Sequence, residues 1–367
     1  YYNQLTVEGY GLSLDVGNPG LPVMKKLIEV PEGAVIHYSV IREEYRVIDL
    51  AESGIVHPLF PAQPPVSKSI DNPDELPFEK NDITYQTNGW FGFDPVNVEM
   101  LGKMRGVNLA RLEVAPLQYN PVQHTIRICI ELEVEVSFVN GNTLKTIEQK
   151  KTLFSPYFEG IFNQVANYKS EVTDELIMVE PVTYIIVSDP MFGTALQPFI
   201  EWKTKKGFKV VEAYTDDPMV GTTTSSIKAY LHDFYTNPPD GCNPQSFVLF
   251  AGDVAQIPAF SGTAGSHVTD LYYCEYTGDI YPECYYGRFS ANDLTELQPQ
   301  IDKTLEYEQF TMPNPGFLDE VLMVAGDDES HEDTWGNGQI NYGTTYYFNA
   351  AHGIYSHTFL QDPPMGN

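Results

Sequence analysis

The chain has 367 residues, 42% of them hydrophobic, so it is globular and long enough for roughly two to three domains, each with its own core. Its net charge of −29 argues against a nucleic-acid partner, because phosphate binding needs clustered Lys and Arg. No apolar run approaches the roughly 18 residues of a membrane-spanning helix.

Residues 1 to about 150 read as β. LTVEGYGLSLDV, PVMKKLIEVPEGAVIHYSVI, NLARLEVAPLQYN and HTIRICIELEVEVSF alternate apolar and polar residues between Gly, Pro and Asn punctuation. In ELEVEVSF, Glu131, Glu133 and Glu135 face water while Leu132, Val134 and Val136 face the core. Short strands at regular spacing with turn signals predict a β-sandwich. A polar, Pro-rich stretch from Phe60 to Asn88 interrupts them and reads as an insert or a functional loop. Cys129 falls in an apolar strand and reads as a buried thiol.

After Phe154 the pattern changes. PYFEGIFNQVANYKSEVTDEL is amphipathic, then acidic, and reads as a linker. From Thr183 the period switches. TYIIVSD, FKVVEAYT, SFVLFAGD and EVLMVAGDD are strands, and GIYSHTF starts a fifth. Helices are predicted in TALQPFIEWKTKKG, closed by Gly207, in TTTSSIKAYLHDFYTN with a Ser/Thr cap, in DLTELQPQIDKTLEYEQF and in NYGTTYYFNAAHG. This βα alternation predicts a parallel sheet covered by helices, with its chemistry at the carboxyl ends of the strands. Asp189, Asp253, Asp327 and Asp328 stand there.

Between Thr269 and Phe289, oxygen-bearing residues crowd around a glycine turn. Asp279, the Tyr281 backbone and Glu283 stand at i, i+2 and i+4, so an extended loop aims all three the same way. Asp253, ending its strand, is expected to reach this loop and complete an oxygen-rich cation site of the kind calcium prefers. The same residues also fit a solvated acidic turn. Cys274 and Cys284 flank Gly278, a spacing that suits a disulfide or two free thiols. Asp327, Asp328, Glu329, Glu332 and Asp333 surround His331, either as a solvated loop or as a carboxylate orienting a histidine. His352 precedes Gly353 at a helix end and reads as a last-turn residue rather than a catalytic base. There is no G-x-S-x-G, P-loop or zinc-type His/Cys spacing.

The chain resembles the gingipain-type cysteine peptidases of family C25 with their prodomain attached, the lysine-specific kind most of all. VEMLGKMRGV, NPVQ, ELEVEVSF and FSPYFE carry the likeness in the β-rich part. WKTKKGF, YTDDPMVGTTTSSIKAYLHDFY, VTDLYY, GDIYPE, Ile301 to Glu308 and EVLMVAGDD carry it further on. The resemblance implies an inhibitory β-sandwich prodomain over residues 1–167, an activation junction over 168–182, and the first part of a caspase-like α/β peptidase domain over 183–367. It implies a secreted or cell-surface bacterial zymogen that cuts proteins or peptides by a Cys–His pair. Asp328 corresponds to the carboxylate that supports the catalytic histidine. Calcium is implied at Asp253, Thr277, Asp279, Tyr281 and Glu283, with Thr277 standing where the family has an acid. The catalytic histidine is expected roughly twenty residues beyond Asn367 and the cysteine further on, so a second chain or a longer product would carry the dyad. The absence of Met at residue 1 suggests a removed signal peptide or tag. A non-catalytic caspase-like scaffold is the alternative.

The family's prodomain enters the cleft like a substrate, and the matching loop here is TYQTNGWFGF, with Asn88 in place of a basic residue. Asn167 and Lys169 lie at the expected processing junction, and Asn367 is the last residue. Cleavage after Asn is therefore expected, with Lys or Arg as the alternative.

Overall fold

The computed structural model describes residues 1–64, 77–170, 181–263, 267–325 and 336–360. The described chain divides into two units. The first comprises Tyr1–Ala62 and Lys80–Leu305, the second Gln63–Glu79 and Glu306–Asn367.

The N-terminal half of the first unit is built on antiparallel pairing. β1 (Gly11–Leu12), β2 (Pro22–Val30), β4 (Val96–Met104) and β5 (Val107–Val114) form one sheet in the order β1-β2-β5-β4. β3 (Val35–Asp49), β6 (Leu117–Asn120) and β7 (Thr125–Val139) form another, in the order β3-β7-β6. The alternation read in ELEVEVSF is present: Glu131, Glu133 and Glu135 are exposed and Leu132, Val134 and Val136 half-buried. Ile28, Val30 and Ala110 of the first sheet pack with Ile36, Val136 and Phe138 of the second. Only Gly11 and Leu12 of the predicted first strand pair, because Leu14 and Val16 are exposed and have no apolar face to cover. Inside the long polar stretch, Asn81 caps a short helix α1 (Asp82–Gln86) through its side chain, so the loop expected from Thr84 is helical at its start. Polar α2 (Thr143–Thr152), capped by Asn142, and α3 (Glu159–Phe162) complete this part.

The parallel sheet follows, in the order β13-β10-β8-β9, from β8 (Thr183–Ser188), β9 (Lys209–Tyr214), β10 (Phe247–Ala251) and β13 (Tyr285–Phe289). β8 and β10 are almost wholly buried, as continuous apolar runs covered on both faces must be. α4 (Gly193–Lys205) and α7 (Leu294–Gln309) pack with Ile186, Leu249 and Ala251 in one cluster. α5 (Thr224–Thr236) covers Ile185, Val187, Val248 and Phe250 in another. α5 opens with the capping box expected of its Ser/Thr run, Thr223 accepting from the Ser226 amide and Ser226 accepting from the Thr223 amide. The short pair β11 (Phe260–Ser261) and β12 (Val268–Thr269) and helix α6 (Leu271–Cys274) lie between β10 and β13.

In the second unit, β14 (Glu320–Val324) and β15 (Tyr355–Phe359) pair parallel with each other. β14 alternates exposed and half-buried residues, unlike the buried β8. α8 (Asn337–Tyr346) stops before His352, which ends a separate 3-10 turn closed by Gly353 at φ +70°. Among the described residues, no helix is long and apolar enough to cross a membrane.

Candidate functional site

The two ends of the parallel sheet are chemically different. At the carboxyl end, Asp253 follows β10. Its Oδ1 accepts from the Val254 amide at 2.8 Å and the Ser290 hydroxyl at 3.0 Å, and its Oδ2 accepts from Asn292 Nδ2 at 3.2 Å. These donors, the Val254 amide foremost, hold its carboxyl below the usual aspartate range. Asn292 also donates to Glu296, so two acids converge on one amide. Arg288 fixes the loop beside them. Its fork grips Asp270 at 2.9 and 2.7 Å, and Nη1 donates to the carbonyls of Gly252 and Ile257 at 2.9 Å each.

The 275–283 loop lies at the amino end. Glu275 is its organiser, accepting the amides of Thr277, Gly278 and Asp279 on one oxygen, with Gly278 at φ +84° making the turn. The Thr277 hydroxyl stands between the two predicted acids, 2.8 Å from Asp279 Oδ2 and 3.2 Å from Glu283 Oε1. The Tyr281 amide donates to Asp279 Oδ1 at 2.6 Å and the Tyr276 amide to Glu283 Oε2 at 2.9 Å. Glu283 is only 1% exposed, and burial pushes its carboxyl up to about 7. No Lys, Arg or His among the described residues pairs with it.

The expected reach of Asp253 to this loop is not met. β10 and β13 run parallel, with Phe247 opposite Tyr285 and Ala251 opposite Phe289. Asp253 follows one strand and Glu283 precedes the other, so at least the paired length, roughly 13 Å, separates them. Thr277, Asp279 and Glu283 are brought together, with Tyr281 beside them; Asp253 is not. Among the described residues, no three His, Cys, Asp or Glu side chains form a metal cage.

Of the other expected residues, Asn88 is exposed and accepts from Asn120 Nδ2 at 3.0 Å. Asn167 pairs with both backbone groups of Glu29, accepting from its amide at 2.7 Å and donating to its carbonyl at 2.9 Å. The Lys169 carbonyl accepts from Lys150 Nζ at 2.6 Å. Asp328, His331 and Asn367 lie outside the described residues. All four cysteines are free, and Cys129 is half-buried rather than buried. Glu275, Lys103 and Arg105 were not foreseen. Lys103 donates its amide to Asp279 Oδ2 at 2.7 Å, a bond spanning 176 residues that local spacing does not reveal.

Peptidase family C25 is matched over residues 178–366, and Propeptide_C25 over residues 3–172. The chain belongs to peptidase family C25. Lys-gingipain W83 of Porphyromonas gingivalis is 38% identical over 366 residues, all of this chain but 21% of the relative. Gingipain R2 of the same organism is 26% identical over 350 residues, 92% of this chain and 46% of the relative. A solved structure concerned with the zymogenic latency of gingipain K from that organism is 39% identical, covers 36% of this chain and 72% of its own, and has a TM-score of 0.34. The C25 chain thus spans about a fifth of the Lys-gingipain it matches. Arg105, Lys150 and Asn167 fall in the propeptide match, and Asp253 and the 275–283 loop in the peptidase match.

Proposed function

We propose that this chain is the propeptide and leading peptidase portion of a secreted bacterial cysteine endopeptidase zymogen. The observation that carries the reading is the succession of a C25 propeptide match over residues 3–172 and a C25 peptidase match over residues 178–366, with Asn167–Lys169 close to the end of the first. On this reading the propeptide is a β-sandwich and the peptidase fold is caspase-like. The Cys–His pair lies outside these 367 residues, supported by Asp328. The test is hydrolysis by the full-length protein, before and after cutting at residues 167–169, of chromogenic peptides ending in Asn, Lys or Arg. Hydrolysis that appears once the cut propeptide has been removed, and that vanishes with a thiol alkylator, is expected. A cut protein freed of its propeptide that hydrolyses no peptide sinks the reading.

Within it, the enzyme cleaves after Asn and Asn88 stands in for the substrate residue. Asn88→Ala in the zymogen should raise its residual activity roughly tenfold, the worth of one well-placed polar contact. Unchanged latency removes Asn88 from that role.

Calcium belongs to the same proposal, on a smaller ligand set than the resemblance implied. Thr277, Asp279, Glu283 and the Tyr281 carbonyl would hold it, and the buried carboxylate of Glu283, which has no cationic partner among the described residues, suits a divalent ion. Calcium there would brace the sheet and take no part in cutting. At a hundredfold excess over its dissociation constant, calcium should stabilise the fold by about 2.7 kcal/mol. Equal melting temperatures in calcium and in chelator count against it.

A further inference from the structure

β4 and β5 are joined by Arg105–Gly106, both at positive φ, +46° and +81°. That is the two-residue turn whose twist matches paired strands, and here it sets Arg105 against the amino end of the parallel sheet. A Cβ on Gly106 would meet Leu153 Cδ1 at 2.9 Å, so the turn fits its seat closely. Arg105 is 2% exposed. Nη1 donates to the carbonyls of Gln245 at 2.8 Å and Glu283 at 2.9 Å. Nη2 donates to the Pro244 carbonyl at 3.0 Å and the Ser246 hydroxyl at 3.2 Å. The guanidinium lies 5.1 Å from the Phe158 ring and 5.8 Å from that of Tyr235. Every hydrogen-bond acceptor belongs to the peptidase match, and all are carbonyls or a hydroxyl.

The surroundings extend the contact. The Ser246 hydroxyl donates to Ser155 Oγ at 2.8 Å. The Tyr157 ring packs on Phe208 and Phe247, and Tyr285 donates to the Tyr157 carbonyl at 3.1 Å. Lys103, two residues before Arg105, gives its amide to Asp279. A desolvated arginine with an aromatic ring on each side of the contact, Phe158 from the propeptide match and Tyr235 from the peptidase match, has the composition of an interface hot spot.

We propose that the Arg105 hairpin is the principal anchor of the propeptide, seated in a guanidinium-binding pocket made by the carbonyls of Pro244, Gln245 and Glu283. This rests on the zymogen reading. The pocket is at the opposite end of the sheet from Asp253, where α/β folds place their chemistry. Holding the propeptide and obstructing the cleft are therefore separate tasks performed by separate residues. Cutting the 167–169 junction does not by itself release the propeptide, because the arginine still has to leave its carbonyl pocket. The pocket favours arginine over lysine, because four donors in a planar fork meet four fixed oxygens.

The test is the rate at which the propeptide leaves the rest of the protein after the full-length chain is cut at residues 167–169, followed by size-exclusion chromatography on dilution. Arg105→Ala should speed departure by roughly a hundredfold or more, the usual effect of removing a hot spot. Arg105→Lys should rescue only part of it. Ser246→Ala, which removes one of four acceptors on the receiving side, should speed it severalfold and keeps the test usable should Arg105→Ala fail to fold. Departure rates for Arg105→Ala and Ser246→Ala equal to the parent's overturn the proposal. Release is read without substrate, so an inactive peptidase would sink the zymogen reading without bearing on the anchor.

Discussion

Replacing Lys150 with alanine is expected to destabilise the protein by about 3–5 kcal/mol, the penalty of leaving a buried charge without its partner. Lys150 lies in the last turn of α2, where a cation also suits the helix's terminal carbonyls. Its side chain is 5% exposed and that of Glu29 11%. Nζ stands 3.0 and 3.1 Å from the two Glu29 oxygens, 2.6 Å from the Lys169 carbonyl and 4.2 Å from the Tyr168 ring centroid. One ammonium thus neutralises an acid on β2 and pins the segment that carries the expected processing site. Asn167 pairs with the Glu29 backbone from the same segment, and the Ala166 amide donates to the Leu27 carbonyl at 2.9 Å. In this state, residues 166–169 are held against the propeptide sheet rather than offered as an extended substrate. Lys150→Ala should therefore show two effects: a lower urea midpoint, and faster cleavage at 167–169 by an added protease. Lys150→Met with Glu29→Leu should restore stability, because no charge is then left alone, while cleavage stays fast. A loss under about 1 kcal/mol, with unchanged cleavage, would remove Lys150 from this role.

What sequence reading captured here is what depends on neighbours in the chain. ELEVEVSF shows its period without a partner, Thr223 and Ser226 satisfy one another three residues apart, and TYIIVS announces burial on both faces. Asp279 and Glu283, four residues apart, are close enough for one Thr277 hydroxyl to touch both. The readings that failed needed pairing information. Asp253 is expected to reach the 275–283 loop because it ends a strand; the strand that follows that loop, β13, is not read from the sequence, and its parallel register against β10 puts the two at opposite ends. α2 was missed because its sequence, TLKTIEQKKT, has almost no apolar stripe; its Asn142 cap was the available signal. Arg105 contacts residues 139 to 178 positions away, so nothing local marks it as buried. The signal that was present was the Arg-Gly pair between two apolar runs, VEMLGKM and VNLARLEV, a two-residue hairpin whose tip carries a long side chain.

Glu283 sets the second large effect, and its sign is the reverse of the common one for an acid. In the fold its carboxyl titrates at about 7, against an ordinary value of 4.5, chiefly because burial penalises the charged form. Below pH 4.5 the group is neutral in both folded and unfolded chains, and its contribution to stability is fully present. Between 4.5 and about 7 the unfolded chain sheds the proton freely while the folded one resists. Calcium-free protein should therefore lose stability across that window, by up to about 3 kcal/mol at 1.36 kcal/mol per pH unit, and level off above it. Glu32 works in the opposite sense and in another window. The Lys103 ammonium, with help from Asn108 and Lys145, holds it down to about 2, so its stabilisation is lost only as pH falls below 4.5. The two acids are thus separable in one titration. Glu283→Gln, neutral at every pH and close in shape, should flatten the calcium-free curve from pH 4.5 to 7 and leave the acid limb unchanged. Calcium should restore the wild type above pH 7, because a cation stabilises the ionised carboxylate, and should do nothing for Glu283→Gln. Urea unfolding in chelator and in calcium across pH 4.5–8 measures all of this. Parallel curves for the two proteins would mean that Glu283 is ionised in the fold and already compensated, and the cation would then have no charge there to neutralise.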